Sequence, residues 1–206
     1  MSRIFLLSPA RSSGRRAQSL RQPNAKSELA RQLQIGAAPL GDVFVFCSSL
    51  YFRGKLAYAR RFAQPSPGLK GIHIITPSRG LAEPEELVGV RELEEFSTIP
   101  VDAAEPRFAE PLRSSVESLA TTTDSEVVLL GSVATGKYVD VLLPILGERL
   151  LFPSDFVGRG DMSRGGLMLR CAASGEELSY QPLAGASRTG QRAPRIGPRP
   201  VGEPGL

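Results

Sequence analysis

Residues 126–147 read EVVLLGSVATGKYVDVLLPILG: a buried strand, a small-residue turn and an amphipathic helix in immediate succession. Glu126–Leu130 is a short, nearly continuous apolar run, the pattern of a strand covered on both faces. Lys137–Leu146 is the helix behind it. A strand that turns at once into a helix is the building unit of an α/β protein with a parallel sheet. The turn between them, Gly131-Ser-Val-Ala-Thr-Gly136-Lys137-Tyr138, has the glycine and lysine spacing of a phosphate-cradling loop. It departs from that motif at one position, because Tyr138 stands where Ser or Thr would ligate Mg²⁺. No apolar strand ending in Asp stands downstream to complete a magnesium shell. The turn therefore points to an anion at a helix N-terminus, without the chemistry of a P-loop NTPase.

Working outward, the same alternation recurs. Residues 3–8 (RIFLLS), 42–47 (DVFVFC), 71–76 (GIHIIT) and 149–152 (RLLF) are predicted strands, the second on its β-branched and aromatic content. Helices are predicted over 26–34, with Gly36 as its C-cap, over 52–63, ended by Pro65 and Pro67, in part of the acidic stretch 83–96, and over 106–121. Leu167–Cys171 and Leu178–Gln181 read as a closing hairpin around Ala173–Gly175. The fold class expected is α/β: a mainly parallel open sheet with helices on both faces, closed by an antiparallel C-terminal hairpin. Residues 1–186 are assigned to one α/β domain, and 187–206 to a disordered basic tail rich in Pro, Gly and Arg.

In an open parallel sheet, ligands bind beyond the carboxyl ends of the strands. All four post-strand turns are small, hydroxyl-bearing and basic: Ser8, Arg11, Ser12, Ser13 and Gly14; then Ser48-Ser49-Leu50-Tyr51, with Arg53 and Lys55 close behind; then Ser78-Arg79-Gly80; then Ser132–Lys137. If the strands are parallel, these turns meet along one rim. Serine hydroxyls and helix N-termini would donate hydrogen bonds there, and Arg and Lys would supply charge. A second unusual stretch, Arg159-Gly-Asp-Met-Ser-Arg-Gly-Gly166, sets two arginines around one carboxylate in a glycine-rich loop. The expected ligand set is thus Arg53, Arg79, Lys137, Arg159 and Arg164 on the anion. Ser49, Ser132 and Thr135 would be donors, with Gly131 and Gly136 allowing close approach. Asp161 or Tyr51 is the acid–base candidate.

The remaining residues exclude more than they assign. His73, the only histidine, lies inside an apolar strand, which argues against a Ser-His-Asp triad. Cys47 and Cys171 are far apart with no partner at metal-ligand spacing, so no metal is expected, and two unclustered cysteines fit a reducing, cytoplasmic setting. No run is long enough to span a membrane. The absence of Trp and 6% aromatic content argue against a base-stacking platform. The net charge of +4 is carried by the ends: six bases and no acid in 1–26, four bases and one acid in 187–206, but 15 bases and 20 acids between them. Basic ends suit phosphate backbones as well as solubility.

Tyr51-Phe-Arg-Gly-Lys-Leu-Ala-Tyr-Ala-Arg60, Thr76-Pro-Ser-Arg-Gly-Leu-Ala-Glu-Pro84 and Leu130-Gly-Ser-Val-Ala-Thr-Gly-Lys-Tyr138 form an ordered series. Over about residues 42–146 it resembles an uncharacterised group of small bacterial α/β proteins. That group pairs a Leu-Tyr-x-x-x-Phe-like helix start, a strand-ending Tyr-Gly-Leu turn and a Gly-x-x-Tyr turn before a late helix. Here Arg79 replaces the aromatic before Gly80, and the late turn is longer. The resemblance implies a Rossmann-like fold, and a nucleotide or nucleic-acid link, without a defined activity.

Three functions follow as expectations. The first is a protein that binds a phosphorylated ligand (nucleotide, nucleoside or sugar phosphate) at the carboxyl edge of the sheet, with transfer or hydrolysis as the reaction class if it is an enzyme. The second is a nucleic-acid-associated module gripping phosphates with its basic ends. The third is a protein–protein adaptor using the acidic 83–126 face. The sequence names no cofactor and no oligomeric state.

Overall fold

The computed structural model describes residues 2–190. Its main sheet is built from β1 (Arg3–Leu7), β3 (Ile72–Ile75), β4 (Leu81–Ala82), β6 (Glu126–Leu130), β7 (Leu150–Pro153) and β8 (Tyr180–Pro182), in the order β4-β3-β1-β6-β7-β8. The four central strands are parallel, with Leu7 opposite Ile74 on one side and Leu130 on the other. Antiparallel strands close both edges, β4 on β3 and β8 on β7. β2 (Ala38–Pro39) and β5 (Leu87–Val88) pair separately as a two-stranded ribbon.

Strands read as unbroken apolar runs because both sheet faces are covered. Alternate residues point to opposite layers. Phe5, Leu7, Val128 and Leu130 enter a core shared with α1 (Arg15–Arg21), α2 (Glu28–Gln34), α3 (Leu40–Ser48), α4 (Leu50–Phe62), α5 (Val90–Thr98) and α8 (Asp161–Ser174). Leu6, Val127 and Leu129 enter the other, against α6 (Pro106–Thr122) and α7 (Gly136–Leu146). The expected α/β class, mainly parallel sheet, two-sided helical cover and closing antiparallel C-terminal pair are all present.

Two elements differ from expectation. Residues 42–47 are not a strand; they lie in α3. Their β propensity is overridden by packing, because Leu40, Val43 and Phe44 fall on one buried helical face and Phe44 meets Phe52 and Phe96 edge-on. The closing strand pair is β7 with β8, while 167–171 is helical. α8 begins after Gly160 with Asp161 at its positive end and stops at Gly175, whose φ of 78° is the left-handed helix-ending conformation. The expected Gly/Arg loop 158–166 is therefore mostly the first turn and a half of a helix. Within the acidic stretch, Gly89 starts α5 and its N–H donates to Glu92 Oε2 at 2.8 Å. Of the predicted tail, residues 191–206 lie outside the described residues. Among the described residues, no helix is long and apolar enough to cross a membrane.

Candidate functional site

The chain reverses direction across the sheet at β1. From β1 it moves to β3 on one side, and later from β6 to β7 on the other. The segment after β1 runs to the α1 layer, whereas that after β6 runs to the α7 layer. Strand order thus switches between β1 and β6, and the diverging segments leave a crevice beyond their carboxyl ends. A cleft of about 410 Å³ occupies that place.

Four stretches of chain line it. The β1–α1 segment gives Ser8, Pro9, Ala10 and Arg11; the α3–α4 junction gives Ser48 and Tyr51; the β6–α7 turn gives Ser132, Thr135, Lys137 and Tyr138; the start of α8 gives Asp161, with Val101 completing the wall. α7 opens at this cleft with no side-chain cap on its first turn, so its leading N–H groups are not taken by the Thr135 hydroxyl. Gly131 brings the two turns together: a Cβ there would lie 3.0 Å from Ser8 Cβ and 3.2 Å from Ser8 Oγ.

Of the expected site residues, Tyr51, Ser132, Thr135, Lys137 and Asp161 line the cleft. Gly131 and Gly136, expected to let a ligand approach, do not: the room each leaves is taken by the protein, by Ser8 beside Gly131 and by the Asp140 carboxylate beside Gly136. The others do not line it. Ser49 joins α3 to α4 at a positive φ of 47° and is exposed, leaving Ser48 and Tyr51 to face the cleft. Arg53 is on the exposed side of α4. Arg79 is paired with Glu92 and Glu95 at 3.3 and 2.8 Å, and Ser78 also bonds Glu95, so its charge is neutralised within the fold. Arg159 Nη1 reaches Ser163 Oγ at 3.4 Å while its Nε is buried without a partner. Arg164 is buried, and its Nε and Nη2 both donate to the Phe156 carbonyl at 3.2 and 3.0 Å. The pair expected to clamp a ligand instead belongs to α8 and its approach; Arg164 comes within 3.7 Å of Asp161, whose carboxylate is 66% exposed at the cleft.

The residue that sequence reasoning missed is Lys55. Read as one more basic group behind a turn, it is 1% exposed. Its ammonium nitrogen lies 2.5 Å from the Ser8 carbonyl and 2.9 Å from Ser8 Oγ, over the faces of Tyr51 and Phe52. Burial lowers its pKa to about 7; Asp161 opposes the shift and Arg164 adds to it. Its position was legible: Lys55 falls three residues after Phe52 and four before Ala59, on the stripe that α4 buries. In the sequence Tyr138 stands only as a departure from the phosphate-loop motif. It is 8% exposed beside Ser8; burial pushes its phenol pKa up, and Ser8 pulls against that shift. The Tyr51 hydroxyl is buried with no hydrogen-bond partner, and its pKa is pushed up to about 12, mainly by burial. Tyr51 is therefore a proton donor at neutral pH rather than a base.

A close helix crossing sets these groups. A Cβ on Gly54 would meet the Gly165 carbonyl oxygen at 2.6 Å, and one on Gly165 would meet Leu50 O and Tyr51 Cα at 2.8 Å. α4 and α8 therefore touch backbone to backbone, which brings Tyr51 and Lys55 to the same end as Asp161 and Arg164.

The chain matches no protein-family model, no curated protein and no solved structure. Among the described residues no group of three His, Cys, Asp or Glu side chains is placed to hold a metal ion.

Proposed function

We propose that this protein binds a phosphorylated ligand, a nucleotide, nucleoside phosphate or sugar phosphate, in the cleft between the turns that follow β1 and β6. One observation carries the reading. The switch-point crevice gathers Arg11, Lys137 and the uncapped start of α7 together with the hydroxyls of Ser8, Ser48, Ser132 and Thr135. Backbone N–H groups at a helix start and exposed cations suit a phosphate, and a volume of about 410 Å³ suits a small ligand. The buried Tyr51 hydroxyl supplies an unused donor to the same space. Asp161 is the acid–base candidate, held at the rim by the first turn of α8.

The test is thermal unfolding at low salt with paired ligands, such as adenosine against AMP and ribose against ribose 5-phosphate. A ligand at 100 times its Kd stabilises by about 2.7 kcal/mol. Phosphorylated members should raise Tm and their partners should not, and Lys137→Ala, at an exposed position, should keep the resting Tm while abolishing the increase. Equal responses to both members of each pair, or an unchanged response in Lys137→Ala, would contradict the reading.

A further inference from the structure

The Ser8–Lys55 contact lies at the floor of the cleft, and anion binding alone gives no reason for it. Ser8 is 4% exposed yet lines the cleft. Behind it, the Lys55 amine makes both of its hydrogen bonds to Ser8, one to the carbonyl and one to Oγ. The carbonyl can only accept, so one N–H is committed there. The contact to the hydroxyl can run either way. A neutral amine fits this pair of partners: it donates one hydrogen to the carbonyl and receives the serine proton on its lone pair.

No carboxylate among the described residues pairs with Lys55, and the charged groups around it work against each other. Asp161 and Arg164, both from α8, favour and disfavour the ammonium respectively. From α4 and α7, Tyr51 and Tyr138 face the same point, and both stay protonated. A lysine kept only for stability at a fully buried position is a poor choice, since burying an unpaired ammonium is costly and an apolar side chain of similar length would fill the space. A buried amine held against a cleft-facing hydroxyl is the arrangement of a base and its nucleophile.

We propose that Ser8 is a nucleophile activated by Lys55, and that the pair hydrolyses a phosphate monoester bound in the cleft. The inference rests on the phosphate-binding reading above. Ser8 Oγ forms a bond to phosphorus as its proton passes to neutral Lys55 Nζ. The bond from phosphorus to the ester oxygen breaks, and that oxygen leaves with the electron pair and takes a proton from water. Water then attacks the phosphoserine. The bond from phosphorus to Ser8 Oγ breaks, Oγ recovers its proton from the Lys55 ammonium, and the proton lost by the attacking water neutralises the hydroxide formed in the first half. The sum is one ester and one water giving one alcohol and one phosphate. Arg11, Lys137 and the start of α7 would hold the phosphoryl oxygens.

The experiment uses the full chain and an alkyl fluorophosphonate, in which fluoride is the leaving group, read by intact mass and peptide mapping. One adduct is expected, on Ser8. Its rate should rise about tenfold per pH unit below pH 7 and level off above, following the neutral amine. Ser8→Ala should remove the adduct, and Lys55→Met should slow it at least 100-fold and flatten the profile. Inorganic phosphate, at concentrations that raise Tm, should slow labelling. The pH profile of the unaltered chain needs no variant to fold. No Ser8 adduct, or a rate in folded Lys55→Met equal to that of the unaltered chain, overturns the pair, and if phosphate still raises Tm the binding reading stands. Labelling of Ser8 that phosphate neither slows nor accompanies with a Tm shift overturns the phosphate assignment.

Discussion

At the scale of single residues, Lys55 gives the clearest test. Its pKa is about 7 in the fold, against about 10.5 in the unfolded chain. Between those values the unfolded chain holds a proton that the folded chain does not, so stability rises with pH through that window. Below pH 7 both states are charged and the burial penalty is full. From pH 7 to 8.5 the gain from this one group is about 1.5 kcal/mol. Two smaller effects fall at the ends of the window: His73, whose pKa is lowered by burial, adds to the rise at the acid end, and the two cysteines, whose pKa values are raised, begin to oppose it at the alkaline end; the raised pKa values of the tyrosines oppose folding at higher pH. The share that belongs to Lys55 is the part of the rise that its substitution removes. Urea unfolding should show that rise in the unaltered chain and the loss of most of it in Lys55→Met; a rise that survives the substitution in full would show that Lys55 is not its source. The sequence held this residue in plain view, at helical spacing between Phe52 and Ala59. It did not show that α8 would bury it, because Gly165 is 111 positions from Gly54 and only their direct approach closes the space.

At the scale of elements, the α4–α8 crossing decides where the site groups stand. Replacing Gly165 with Ala adds a Cβ 2.8 Å from backbone atoms of Leu50 and Tyr51. Backbone cannot move aside as a side chain does, so a cost of about 1–3 kcal/mol is expected, larger than the helix-propensity gain of about 1 kcal/mol. Gly166 next to it has nothing within 4 Å of its ideal Cβ, so Gly166→Ala should stabilise by up to about 1 kcal/mol. Opposite signs from adjacent glycines, measured by denaturant unfolding, would establish the crossing; a stabilising Gly165→Ala would refute it. The same contact explains one misreading. LMLRC at 167–171 looks like a strand in isolation, but Met168 and Arg164 are buried one turn apart beside Gly165, which is a helical pattern. DVFVFC at 42–47 fails for a related reason: Val43 and Phe44 are buried in the same core and Phe44 meets Phe52 edge-on, which no local preference for extended chain records.

At the scale of the molecule, the class was legible because strand and helix alternate and the strands lack polar faces. The post-strand rim was legible in part: the turns after β1 and β6 meet there as adjacent parallel strands require, while 48–51 joins two helices and 78–80 lies outside the cleft. It fails for Ser49, Arg53, Arg79, Arg159 and Arg164, since residue type says nothing about whether a guanidinium is spent on Glu92 and Glu95, or on the Phe156 carbonyl. Much of the acidic surface is likewise engaged internally, Glu83 with Lys70 and Glu85 with Arg60. What survives is the switch point: two turns diverging from adjacent parallel strands, with Gly131 packed on Ser8 and Lys137 at the mouth. An anion bound at this switch point is tested directly by backbone amide NMR during titration with inorganic phosphate and then AMP. Saturable shifts concentrated at 8–11 and 131–138, and lost in Lys137→Ala, are expected. Shifts that are absent, or that fall on the opposite edge of the sheet around Ser125 and Glu126, would contradict it.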